Sequence, residues 1–152
     1  MRLTVGSREV GFDAIAQRRG EALHVVGLVL PGTRLFALRQ EGETISFGAE
    51  EGRTMRALGA WALDALHRGV WIEPDEDETE NAESSWLRHG EEITESIVEG
   101  RRRRIFKRSA GRRDAPVISI DYRLNSDGTG GAAYTVRNPQ CGYEAVVILL
   151  DG

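Results

Sequence analysis

One cysteine, four prolines and no long apolar run are found in the 152 residues, and each shortage excludes something. A lone Cys141 forbids an intramolecular disulfide and leaves a thiolate metal cluster without ligands. It sits in a tight turn with no activating partner, which points to packing rather than to a catalytic thiol. The longest apolar stretch, Ala145 to Leu150, is strand-sized and far short of the ~20 residues needed to span a bilayer as a helix. A formal net charge of -4 disfavours a general polyanion binder, so nucleic acid is not an expected partner. His24, His67 and His89 stand apart, without paired metal-ligand spacing. Asp75, Asp77 and Thr79 have the alternate spacing of a calcium loop but lack its glycine and its terminal glutamate. No nucleophile, base and orienting group can be assembled, so the expectation is a protein that is not an enzyme and holds no metal or cofactor.

What the sequence does contain is alternation. Glu9 to Gln17, Glu21 to Leu30, Thr33 to Gln40 and Glu43 to Phe47 read as four strands with tight polar turns between them, an antiparallel meander. Thr54 to Arg68 then changes period: Met55, Leu58, Trp61, Ala62, Ala65 and Leu66 recur at spacings of three and four, the mark of an amphipathic helix. Glu73 to Glu83 is almost wholly polar and acidic, as expected of a solvated loop or a short exposed helix. Strands resume at Ile93 to Val98, Arg101 to Lys107, Pro116 to Leu124, Ala132 to Arg137 and Tyr143 to Leu150, with a glycine-rich hairpin from Asn125 to Gly131. About nine strands, one helix and no βαβ alternation predict a single mainly β domain over residues 1-152. If the strands form one curved antiparallel sheet, the helix lies on its concave face, either as core or as the roof of an apolar cavity.

The sharpest charge feature is Arg101-Arg102-Arg103-Arg104. It reads either as a solvated basic edge strand, which discourages unwanted sheet pairing, or as a patch for a protein partner or an anionic surface. Successive residues of a strand point to opposite faces, so the four cannot all share one patch.

Leu30-Pro31-Gly32-Thr33-Arg34-Leu35-Phe36-Ala37-Leu38-Arg39, Thr44 to Phe47, the Trp-bearing helix, Ile118 to Tyr122 and the stretch from Asn138 through Gly142-Tyr143-Glu144-Ala145-Val146-Val147-Ile148 resemble a bacterial lipoprotein family related to LolB. The resemblance covers most of the chain through diffuse motifs. It implies an open antiparallel half-barrel, LolA/LolB-like, and a lipoprotein on the periplasmic side of the outer membrane, acylated on a cysteine in a leader outside the present sequence. The implied partner is a lipid acyl chain or a lipoprotein, with the outer membrane surface as a further contact. By strand parity and helix face, Phe36, Leu38, Leu58, Trp61, Leu66, Tyr122 and Tyr134 are the candidate lining of an apolar, non-catalytic ligand site. Gly59, Ala62 and Ala65 are expected to leave room beside the indole for that ligand.

Overall fold

Period-two alternation does build most of this chain. The computed structural model describes residues 1-29, 32-48, 51-71, 83-108, 117-123 and 133-149. Within them are twelve strands: β1 Arg2–Val5, β2 Arg8–Gly11, β3 Asp13–Arg19, β4 Ala22–Val29, β5 Thr33–Glu41, β6 Thr44–Phe47, β7 Glu83–Arg88, β8 Glu91–Val98, β9 Arg101–Arg108, β10 Ile118–Arg123, β11 Ala133–Asn138 and β12 Tyr143–Ile148. One α-helix, α1 (Arg53–Leu66), separates β6 from β7 and runs into a five-residue π-helical turn, His67–Trp71. The acidic stretch, apart from Glu83 at the head of β7, and the glycine-rich hairpin lie outside the described residues.

The strands form two sheets, not one. The larger runs β2-β1-β12-β11-β10-β9-β8-β7 and the smaller β3-β4-β5-β6, every described pairing is antiparallel, and neither sheet closes into a barrel. Glu9 to Gln17, expected as one strand, is split at Phe12. That ring is 5% exposed and lies edge-to-face on Phe36 at 5.5 Å, while its backbone N–H donates to the Met1 carbonyl at 2.9 Å. Burying the ring turns the chain out of the larger sheet and into the smaller one.

Along β10, Ile118, Ile120 and Tyr122 point inward and Ser119, Asp121 and Arg123 outward, as the alternation requires. Val136 on β11, Ala145 on β12 and Leu3 on β1 continue the same inner face across the larger sheet. Val25, Phe36 and Leu38 supply the inner face of the smaller sheet. The helix fills the space between: Leu58, Ala62, Leu63, Ala65 and Leu66 join both faces in one core. Each buried leucine contributes roughly 1.5–3 kcal/mol by leaving water.

The helix is core and not a roof at the positions where room was expected. A Cβ at Gly59 would come 3.0 Å from Phe36, 3.1 Å from Phe47 and 3.3 Å from Leu38. The small side chains let the helix approach the sheet, and the strand side chains occupy the space that they leave. Close packing of this kind is the ordinary condition of a protein interior.

Candidate functional site

Where the helix ends, its last carbonyls need partners, because nothing in a helix bonds to them. Three neighbouring strands supply these partners. The Tyr134 hydroxyl of β11 donates to Ala65 O at 3.2 Å, the Tyr122 hydroxyl of β10 donates to Gly69 O at 3.1 Å, and the Arg104 guanidinium of β9 donates to Arg68 O at 3.1 Å. Arg104 is only 1% exposed and pairs with Glu95 of β8 at 2.8 Å, a carboxylate that Arg102 also approaches at 2.7 Å. Positive charge at this point suits the negative end of the helix dipole. Burial pushes the Tyr134 hydroxyl far up, and Tyr122 rises for the same reason. Burial would raise Glu95, but hydrogen bonds from Arg102 and Arg104 outweigh it and hold the carboxyl below its ordinary range.

A second polar cluster lies one turn earlier. Asp64 accepts from Arg68 at 2.9 Å, from Asn138 at 3.0 Å and from the Tyr143 hydroxyl at 2.6 Å, and Arg68 reaches on to Glu91 at 2.8 Å. Burial would lower Arg68, but its bonds to Glu91 and Asp64 raise it.

Beside these clusters, along the flank of α1, runs an open groove. One part, about 440 Å³, is lined by Ala60, Leu63 and Asp64 of the helix, Ile45 of β6, Arg68 and Trp71 of the π-helical turn, Arg88 of β7, His89 of the β7–β8 turn and Glu91 of β8. It shares Gln40, His67, Trp71 and Arg88 with an adjoining depression of about 610 Å³ that extends to Ala16, Arg18 and Leu23 of the β3–β4 hairpin. The groove therefore occupies the gap between the smaller sheet and the β7 edge of the larger one. At its centre the His67 Nε2–H donates to Gln40 Oε1 at 2.6 Å, and the imidazole meets the Trp71 ring edge-on at 5.0 Å. Burial lowers the His67 pKa, opposed by Asp64 and assisted by Arg68 and Arg88, which favours the neutral ring. Trp71, 36% exposed, and Ile45, 42% exposed, are the large apolar side chains on the rim.

The seven expected lining residues are placed elsewhere. Phe36, Leu38, Leu58, Leu66, Tyr122 and Tyr134 are buried members of the common core. Trp61 is half-buried against it, tilted on the Tyr143 ring at 6.2 Å. A ligand would reach the six only by displacing core side chains.

The arginine run is divided by parity, as its strand geometry demanded, but β9 is no edge. It pairs with β8 on one side and β10 on the other; Phe106 carries it into the core, and Arg102 and Arg104 find Glu95 beneath the helix. Arg103 faces the opposite way and pairs with Asp121 at 2.6 Å. The reading of a solvated basic edge is thus corrected for Arg102, Arg103 and Arg104, which face carboxylates on an interior strand, whereas Arg101 stays exposed beside the β8–β9 turn. Cys141 is likewise exposed in the β11–β12 turn rather than packed. Among the described residues no cluster of His, Cys, Asp and Glu could hold a metal ion.

A family model described as "Protein of unknown function (DUF3261)" matches residues 1–147. The chain belongs to this DUF3261 family. No curated protein and no solved structure matches it. In this DUF3261 chain the groove residues Gln40, Ile45, Leu63, His67, Trp71 and Arg88 escaped the sequence reading, because they come from five separate elements. One signal was available. Val70-Trp71 continues the apolar pattern past the end of the helical period, and a tryptophan left over there has to pack on something or remain at the surface.

Proposed function

We propose that this chain is a non-catalytic carrier or receptor for an elongated apolar ligand, an acyl chain, a lipid or a lipoprotein, held in the open groove beside α1. The observation that carries the reading is a half-exposed Trp71 facing Leu63, Ala60 and Ile45 in a gap left between two antiparallel sheets that do not close. These four side chains form an apolar strip suited to an acyl chain, and the flanking Gln40, Asp64, His67, Arg68, Arg88 and Glu91 would meet its polar end. Two open sheets wrapped on one helix also fit the finer expectation of a LolA/LolB-like half-barrel, and with it a location at the bacterial cell envelope, on the periplasmic side of the outer membrane. No helix among the described residues is long and apolar enough to cross a membrane.

The test is lipid retention. Native and denaturing mass spectrometry of the purified protein should show a co-extracted acyl lipid at a stoichiometry near one. Trp71→Ala should lose that lipid while the circular dichroism spectrum and the unfolding midpoint stay near wild type, because the indole is at the rim. A wild-type protein that carries no lipid and does not bind a fluorescent fatty acid would refute the reading.

A further inference from the structure

The β8–β9 hairpin ends in two exposed aliphatic residues. Its backbone pairing continues through Ile97↔Arg102 and Val98↔Arg101, whereas the pairing of β9 with β10 stops at Arg103↔Asp121. The two residues ahead of the turn point to opposite faces, and both are exposed: Ile97 by 56% and Val98 by 41%. Among the described residues, nothing covers these water-facing aliphatic side chains on the two sides of the hairpin end. Glu99 and Gly100 make the turn with left-handed backbone, so the end is tight.

The same end is locally basic in a chain of net charge -4. On the outer face of the sheet a shallow depression of about 310 Å³ gathers Val98, Arg101, Arg103, Arg123 and Arg137. Asp121 and Glu144 answer two of these guanidiniums: Asp121 pairs with Arg103 and Arg137, and Glu144 with Arg137. Arg101 and Arg123 have no ion pair among the described residues, and one carboxylate, Glu99, lies in the turn itself. Exposed aliphatic groups flanked by unanswered guanidiniums match the layered chemistry of an anionic bilayer, whose headgroups carry the negative charge above an apolar interior.

We propose that this hairpin end docks the protein on an anionic lipid bilayer, with Ile97 and Val98 entering the interface and Arg101 and Arg123 contacting the headgroups. Arg102 and Arg104 have no part in it, since Glu95 holds both beneath the helix. The proposal rests on the hairpin and not on the groove, so it stands or falls independently of lipid retention.

Flotation of the full chain with vesicles tests it. The wild type should float with equimolar phosphatidylglycerol and phosphatidylcholine, not with phosphatidylcholine alone, and less as salt is added. The pair Arg101→Glu and Arg123→Glu should weaken binding by roughly 30-fold or more, and the pair Ile97→Ser and Val98→Ser by roughly 10-fold or more. Arg8→Glu with Arg34→Glu, at exposed positions of β2 and β5, should change it little. Absence of wild-type flotation overturns the proposal, as does equal binding to the uncharged vesicles. An equal loss in the Arg8 and Arg34 control would show bulk charge instead of docking, and unchanged binding of the serine pair would remove the hairpin from the contact.

Discussion

Replacing Arg104 by methionine probes the point on which helix and larger sheet depend. The side chain is 1% exposed, its Nε and a terminal nitrogen lie 2.9 and 2.8 Å from Glu95 Oε2, and it donates to the carbonyl of Arg68 at 3.1 Å. Removing one member of a buried pair costs about 3–5 kcal/mol, because the other charge remains out of water. Here Glu95 keeps Arg102 at 2.7 Å, a side chain with access to solvent, so Arg104→Met belongs at the lower end, about 3 kcal/mol. Glu95→Leu should cost at least as much, since it strips the carboxylate that two guanidiniums share. The double variant restores an apolar match, and the coupling should return roughly 2 kcal/mol relative to the sum. Urea unfolding at pH 7, with the urea dependence checked for constancy, measures all three. Acid adds a second readout. Because Glu95 titrates below its ordinary 4.5 in the folded state, its stabilising contribution is fully present above that pH and is lost as the pH falls further; the Glu95→Leu variant should lack this part of the acid destabilisation. An Arg104→Met cost below about 1 kcal/mol, or strict additivity in the cycle, would refute the argument.

The chain's three tyrosines, Tyr122, Tyr134 and Tyr143, are all raised above 10.0, mainly by burial, so ultraviolet titration of the folded protein should show no ionisation at the ordinary tyrosine value. Their contribution to stability is complete below pH 10 and is lost above it, and all three should ionise together in the alkaline unfolding step; a single early titrating tyrosine would contradict the burial. Gly69→Ala places a Cβ 2.1 Å from the Tyr134 ring, and differential scanning calorimetry should report an overpacking loss of about 1–3 kcal/mol or more. Tyr134→Phe removes the bond to Ala65 O and should cost about 0.5–1.5 kcal/mol in the same assay.

The parts of the fold that were legible in sequence are those whose signal is local. Ile118, Ile120 and Tyr122 alternate on a strand whose two faces meet different surroundings, and Met55, Leu58, Ala62, Ala65 and Leu66 keep a helical period that ends close to where the helix ends. The missing elements depend on distant partners. Arg2–Val5 alternates over only four residues and Glu83–Arg88 carries little alternation of its own, so both become strands by pairing with β12 and β8. That the strands divide into two sheets follows from one buried ring, Phe12, which a count of alternating residues reads as one more strand position. Arg104 shows a different failure. Parity separated it correctly from Arg103, but only the fold brings Glu95 and the helix end to it, so exposure could not be read from charge. The candidate lining residues were apolar and on the right faces, and those properties belong equally to a filled core. The groove is invisible in the sequence because it is a gap between elements rather than a property of any of them.

The pairing of β1 with β12 sets the order in which this molecule can be assembled. Leu3 lies across from Ala145, and Leu3 also pairs with Val10 on β2, so the first hairpin hangs on the last strand. The β3–β6 meander joins neighbours in sequence and can form while later residues are still being synthesised. The larger sheet cannot seat its outer hairpin until residue 146 is free to pair. During that interval the inner side of residues 1–11 stays wet, while the helix can already lie on the smaller sheet and on β9 to β11. Contacts between such remote residues are slow to form, so the seating of this first hairpin is the late step of assembly, after the sequence-neighbour pairings of both sheets.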